Sequence, residues 1–96
     1  GVGAIESHVR GLVDRLLAGL DEIGASVATP RGDGERGPLV CVTSTDAHAL
    51  VDALAGERIV TSERDSNLRI SLHLYNVEED VDRILAALAA NRALLA

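Results

Sequence analysis

The sequence is almost devoid of aromatic residues. Tyr75 is the only one among 96 residues, and Phe, Trp and Met are absent. A core must therefore consist of Leu, Val, Ile and Ala, which suffices for helices packed on a small sheet. It does not suffice for a deep pocket enclosed by this chain alone. A chain of this length forms at most one domain, with marginal stability.

Lysine is also absent, so the nine basic residues are all arginines, and fifteen acidic residues bring the net charge to −6. The lack of a basic patch argues against nucleic acid as a partner. No apolar run approaches the roughly 20 residues of a membrane span, which argues against a membrane partner. No signal peptide is visible, but the chain begins at Gly1 rather than Met. We therefore expect a piece of a longer protein whose leader could lie upstream.

Cys41 is the only cysteine, so neither an internal disulfide nor a cysteine-based zinc site is available. We expect a small buried strand residue at this position rather than a reactive thiol. Both interpretations fit a reducing, cytoplasmic location. His8, His48 and His73 lack the spacing of metal ligands, and no metal site is predicted.

Hydrophobic periodicity and turn signals predict three helices and four strands. The first helix is expected at 4–23, with Gly24 as its stop. The second helix has about ten residues, is capped by Thr45 or Asp46 and ends at Gly56. The third helix is expected from Val77 to about Arg92. The strands are expected at 26–29, 39–43, 58–61 and 68–74, with a loop at 30–38 and a polar connection at 62–67. The order αββαββα indicates an α+β two-layer sandwich. Its mostly antiparallel four-stranded sheet would carry all three helices on one face.

The last predicted strand carries an arginine between apolar residues. Four apolar residues alternate with three polar residues, which predicts a strand with an apolar face and a polar face. The apolar face has Leu68, Ile70, Leu72 and Leu74, and the polar face has Arg69, Ser71 and His73. A guanidinium on a rigid strand suits two-point binding of a carboxylate or phosphate. The alternative is an arginine on an open sheet face that pairs with a local carboxylate.

The segment that follows this strand has the pattern of a helix start. Asn76 and Glu79 predict a capping box. The acidic residues Glu78, Glu79, Asp80 and Asp82 are explained by the dipole of a helix N-terminus rather than by a metal or acid–base site. The loop 30–38 lacks the spacing of known phosphate-binding loops, and we interpret it as a surface loop.

Residues 59–83 closely resemble the C-terminal end of the class V aminotransferase family, which are pyridoxal-phosphate enzymes of fold type I. The resemblance is carried by the strand Arg69, Ile70, Ser71, by the pair Tyr75, Asn76 and by the acidic run that ends at Arg83. The helix at 8–23 and the strand at 39–43 are compatible with the same small domain. The resemblance covers essentially the whole chain, so residues 1–96 are expected to be a C-terminal small domain.

The resemblance implies that Arg69 binds the carboxylate of an amino-acid substrate. It also implies pyridoxal phosphate in the intact enzyme, a large cofactor-binding domain that precedes this one, and a homodimer. In that family the lysine that binds the cofactor belongs to the large domain. Because this chain has no lysine, we expect the segment alone to be inactive and to hold no cofactor.

The resemblance also narrows the reaction type. Cysteine desulfurases of this family have a nucleophilic cysteine in the loop before the arginine strand, and residues 62–66 contain none. A lyase, epimerase or aminotransferase is therefore favoured. His73, Glu63 and Arg64 are weaker candidates for substrate binding, the last two because the resemblance places their loop near the cofactor.

Two other interpretations remain open from the sequence. The chain could be a free-standing α+β module for binding or dimerisation, or a soluble domain without an assignable function. An upstream coding region of several hundred residues that contains a lysine would favour the enzyme.

Overall fold

The computed structural model describes residues 2–28, 39–73 and 75–96. These contain α1 (Val2–Glu22), β1 (Leu39–Val42), α2 (Ala47–Gly56), β2 (Ser62–Arg64), β3 (Asn67–Ser71) and α3 (Glu78–Ala90), followed by a 3-10 turn at Arg92–Leu94. The predicted α+β class is confirmed. The predicted four strands and the order αββαββα are wrong, because the described residues form three strands in the order αβαββα.

β3 is the central strand of the described sheet and pairs antiparallel with both β1 and β2. Ile70 lies opposite Val40, and Arg69 lies opposite Cys41 on one side and Ser62 on the other. Directly paired residues project to the same face of a sheet. The sheet therefore has an apolar face and a second face that carries Arg69.

The first predicted strand, at 26–29, is reduced to a single bridge between Val27 and Val42. Ala28 N–H donates to the Cys41 carbonyl at 2.8 Å, so this segment lies beside β1 without becoming a strand of the sheet. Its last residue and the predicted loop at 30–38 lie outside the described residues.

The third predicted strand is displaced along the chain. Residues 58–61 are not a strand, and β2 instead occupies the segment that was predicted to be a polar connection. Asp65 and Ser66 link β2 to β3 with positive φ angles of 51° and 68°. Two left-handed residues are typical of a two-residue hairpin turn. The predicted antiparallel pairing of the last two strands is confirmed with these new bounds.

The fourth predicted strand is shorter than expected. β3 ends at Ser71, although Leu72 continues the alternation and is buried. Leu74, the last residue of the predicted alternation, lies outside the described residues.

The core forms where the three described helices meet the apolar face of the sheet. Its sheet-side residues come from β1, from β3 and from the position just after β3, and its helix residues come from one stripe of each helix: Val40, Val42, Leu68, Ile70 and Leu72, with Leu12, Val13, Leu16, Leu20, Leu50, Leu54, Val81, Ile84 and Leu88. Cys41 is buried as predicted, at 9% exposure. No helix of the described segments is long and apolar enough to cross a bilayer.

The helix ends follow ordinary capping chemistry. α1 ends at Glu22, and Gly24 adopts a φ of 79°, which confirms it as the stop. The Asp46 carboxylate accepts a hydrogen bond from Ala49 N–H at 3.0 Å and caps α2. The predicted capping box of Asn76 with Glu79 is wrong by one residue, because Val77 is the N-cap and Asp80 accepts its N–H at 2.9 Å.

Gly19 marks a close approach between α1 and α3. A Cβ atom there would overlap the side chain of Leu85, whereas a Cβ on Gly11 would meet nothing within 4 Å.

We expect Gly11→Ala to raise the free energy of unfolding by about 0.5–1 kcal/mol through helix propensity. Gly19→Ala should raise the free energy of unfolding by less than Gly11→Ala does, or lower it, because overpacking a core costs about 1–3 kcal/mol. Urea unfolding measures both, and equal gains would show that this contact does not require glycine.

Candidate functional site

Arg69 lies in the middle of the central strand and is half-buried. Its Nε donates to Ser62 Oγ at 2.8 Å, across the β2–β3 pairing. This is the only hydrogen bond that the described residues show for the guanidinium, and none of their carboxylates lies within 4 Å of it. The alternative of a local carboxylate partner is thus not realised in the described part of the chain. One edge of the guanidinium is anchored, and the two terminal nitrogens can bind a ligand.

Arg69 borders an open cleft of about 490 Å³, within the range of about 300–1,000 Å³ for small-molecule sites. The cleft lies where the chain before β2 diverges from the second half of β3. Its walls are residues 58–62, residues 69–73, Tyr75 and Asn76, and the α3 residues Asp80, Arg83 and Ile84. Among the described residues, both walls of the cleft therefore come from one edge of the sheet and from the start of α3.

The cleft is cationic in a chain whose net charge is −6. Three arginines line it, Arg58, Arg69 and Arg83, and Asp80 is the only carboxylate among the described lining residues. Arg83 Nη2 donates to the Glu57 carbonyl at 2.6 Å, at the end of α2. A cationic surface of this kind favours an anionic ligand.

A hydrogen-bonded corner connects β3 to α3 and forms one end of the cleft. The Asn76 side chain accepts from His73 N–H at 2.8 Å and donates to Asp80 at 3.2 Å. The imidazole of His8, from α1, lies 2.7 Å from the Asn76 carbonyl. The hydrogen bonds from Val77 N–H and then from Asn76 lower the pKa of Asp80 below its ordinary 3.8. The ionised carboxylate therefore organises this corner.

The start of α3 is fixed to α1 by one arginine. Arg15 donates to both oxygens of Asp82, at 2.9 and 3.0 Å, and lies 3.4 Å from Glu78. The hydrogen bond from Arg15 lowers the pKa of Asp82. The acidic first turn thus pairs with α1 as well as with the helix dipole. No group of three or more possible metal ligands occurs among the described residues.

The structure separates the residues that were predicted as site candidates. Arg69 and His73 both line the cleft, and the His73 ring stacks on Tyr75 with centroids 5.3 Å apart. Glu63 and Arg64 are exposed on β2 and are not among the described lining residues, and Arg64 lies 3.9 Å from Asp65.

Sequence reasoning missed Arg58, Arg83 and Ser62. The spacing of Asp80 and Arg83 on one helix face was visible in the sequence, as was a charged residue at the end of α2. Neither signal could place these residues beside Arg69, because that depends on tertiary packing. Ser62 was assigned to a turn, so its pairing with Arg69 was not foreseen.

The comparisons with known proteins agree with the resemblance carried by residues 69–83. A sequence model of the kynureninase C-terminal domain family matches residues 5–88. The 8-amino-7-oxononanoate synthase of Marinobacter nauticus is 30% identical over 97 residues, which cover 93% of this chain and 24% of the synthase.

Two solved structures share the fold. The apo structure of a cysteine desulfurase from Thermococcus onnurineus NA1 has a TM-score of 0.88 at 24% identity, over 98% of this chain and 28% of that one. A NifS-like protein has a TM-score of 0.79 at 27% identity, over 92% of this chain and 28% of that one. The chain thus spans 24–28% of the length of these relatives.

The corner at Asp80 makes the stability of this region sensitive to acid. Because the folded-state pKa of Asp80 is lowered, its ionised form stabilises the folded state above about pH 3.8. That contribution is lost as the pH falls through the lower folded-state pKa. We expect Asp80→Asn to reduce stability at pH 7 and to flatten the loss of stability between pH 5 and pH 3, both of which urea unfolding measures.

Glu79→Gln is the matched control, since it removes a carboxylate from the same exposed helix turn. It should leave the acid dependence close to that of the unmodified protein. If Asp80→Asn and the unmodified protein lose stability in parallel on acidification, the assigned role of the Asp80 carboxylate is wrong.

Proposed function

Because this chain belongs to the family of kynureninase C-terminal domains, we propose that it is the C-terminal small domain of a pyridoxal-phosphate-dependent enzyme acting on amino acids. The reaction would be of the lyase, epimerase or aminotransferase type. The role of the domain is to bind the substrate carboxylate through Arg69. The observation that carries the proposal is a guanidinium on the cleft wall, anchored by Ser62 at 2.8 Å and without a described carboxylate partner.

The geometry of Arg69 suits orientation of a substrate. A planar guanidinium can donate two parallel hydrogen bonds to one carboxylate, which fixes both its position and its plane. The Nε hydrogen bond to Ser62 limits rotation of the side chain before a ligand binds. Binding in one orientation holds the α-amino group at a defined place, which lowers the entropic part of the reaction barrier.

The residues of this chain do not fit a role in holding the cofactor. Pyridoxal phosphate, when bound, supplies the electron sink for the reaction, and its covalent attachment needs a lysine. This chain has none. We therefore assign that attachment to the part of the protein that precedes this chain, and we assign only substrate binding to the cleft.

The same proposal implies that a preceding domain and a second subunit are partners of this chain in the intact enzyme. Two apolar side chains on the cleft wall are exposed, Val60 at 95% and Tyr75 at 75%, and Val77 nearby is exposed at 50%. A large preceding domain that closes over the cleft would cover them. We also propose that the intact enzyme is a cytoplasmic homodimer.

Loss of the Arg69 guanidinium should impair catalysis in the full-length enzyme. We expect Arg69→Ala to raise KM and lower kcat for amino acids, with a loss of about 1.5–3 kcal/mol in transition-state binding, or roughly 10–150-fold in kcat/KM. Arg69→Lys should recover part of this, because it keeps the charge but not the two-point geometry. Steady-state kinetics measures each change.

Arg92→Ala is the control for Arg69→Ala, since Arg92 is an exposed arginine that does not line the cleft. It should leave the kinetics unchanged. Unchanged kinetics for Arg69→Ala would remove the assignment of the carboxylate site.

The isolated 96-residue chain should not retain the cofactor. Without a lysine amine, pyridoxal phosphate that is mixed with the chain has only reversible contacts available. Gel filtration followed by absorbance spectroscopy should therefore give protein fractions without a cofactor band. The full-length protein is the positive control, and a band that co-elutes with the isolated chain would contradict the proposal.

A further inference from the structure

Arg58 occupies a backbone position that normally belongs to glycine. It follows α2 with a φ of 63°. Arg58 N–H donates to the Ala55 carbonyl at 3.0 Å, and Ile59 N–H donates to the Leu54 carbonyl at 2.9 Å. These two bonds define a Schellman motif in which Arg58 is the left-handed residue, a place where glycine is preferred because it has no Cβ.

The other left-handed residues with side chains are of types that are common at their positions, whereas Arg58 is not. Among the described residues these are Asp65 and Ser66. They form the two-residue turn between β2 and β3, and that type of turn requires both of its central residues to be left-handed. Aspartate and serine are common turn residues. An arginine in a helix-terminating motif has no such preference, and strain of this kind often marks a functional position.

The side chain of Arg58 is also unmatched in charge. It lines the same cleft as Arg69, is exposed, and has no carboxylate of the described residues within 4 Å. Arg83 differs from it, because its guanidinium donates to the Glu57 carbonyl at 2.6 Å and its charge acts on the Asp80 carboxylate, whose pKa it helps to lower. The carboxylate of Asp80 already accepts hydrogen bonds from Val77 and Asn76. The cleft therefore has two arginines available to an anionic ligand, Arg58 and Arg69.

We propose that Arg58 is a specificity-determining residue that binds a second acidic group of the substrate, so that the enzyme acts on amino acids with an acidic side chain. This inference rests on the proposed function, in which Arg69 binds the α-carboxylate. One molecule with two anionic groups then satisfies both guanidinium groups of the cleft. Each pairing is a charge-assisted hydrogen bond, which is stronger than a hydrogen bond between neutral groups.

The test compares carboxylic acids that carry one or two carboxylates. Succinate, glutarate and adipate, which differ in length, are titrated into the full-length holoenzyme by calorimetry, with butyrate as the monocarboxylate. We expect the best dicarboxylate to bind at least about tenfold more tightly than butyrate. Arg58→Gly should abolish this preference and leave butyrate affinity within about twofold. Arg69→Ala should weaken all four ligands.

Arg58→Gly is unusually informative because it places the preferred residue in the left-handed position. It should keep or raise the melting temperature of the protein. Ser66→Gly is the matched control, since Ser66 has a φ of 68° and does not line the cleft. It should have a similar effect on stability and none on either class of ligand. Arg58→Lys should keep part of the preference for dicarboxylates.

The outcomes separate the two proposals. If Arg69→Ala weakens all ligands but Arg58→Gly leaves the ratio of dicarboxylate to butyrate affinity unchanged, the acidic substrate class is wrong and the proposed function stands. If Arg69→Ala changes no affinity, the proposed function fails. A lower melting temperature for Arg58→Gly with an unchanged ratio would assign Arg58 to an ion pair with the rest of the protein and overturn this inference.

Discussion

The alternation of side chains along β3 is the constraint on which the fold and the cleft both depend. Leu68 and Ile70 are almost completely buried, and Arg69 between them projects to the opposite face. A slip of one residue would expose these core side chains and bury the guanidinium, which is far more costly than any contact that it makes. Burial of apolar surface therefore fixes the strand register, and the register fixes the place of the cation. The hydrogen bond to Ser62 adds only the final orientation.

The acidic start of α3 is arranged so that the cleft stays cationic. Asp82 and Glu78 pair with Arg15 of α1, and neither residue lines the cleft. Asp80 does line it, but its Oδ2 accepts hydrogen bonds from Val77 N–H and Asn76, and the charge of Arg83 acts on the same carboxylate. The negative charges that favour the helix N-terminus are thereby matched away from Arg69. The same contacts stabilise the corner after β3 and hold the cleft wall against the helices.

Sequence analysis predicted the elements that follow from local periodicity and missed those that depend on long-range strand pairing. α1 was placed within two residues, and the polar face of β3 was identified, because the 3.6-residue and two-residue periods are strong there. β2 was missed because it is a short, polar edge strand that has no hydrophobic periodicity of its own and is recognised by its pairing with β3. The strand was predicted at Ile59 and Val60 instead, because these two residues are apolar. Arg58 was missed for the related reason that no local pattern tells which loop borders a cleft.

The exposed apolar residues of the cleft favour the proposed enzyme domain over a free-standing module. Val60 and Tyr75 are exposed at 95% and 75% on the walls of the cationic cleft, where a second surface would cover both. Under the proposed function, a cleft that combines an anchored guanidinium with uncovered apolar walls would be half of a binding site, since small-molecule sites bury most of their ligand. The relatives extend over about four times the length matched here. A second wall from the remainder of such a chain would cover Val60 and Tyr75 and exclude water from Arg69, and the removal of water strengthens the ion pair with a carboxylate.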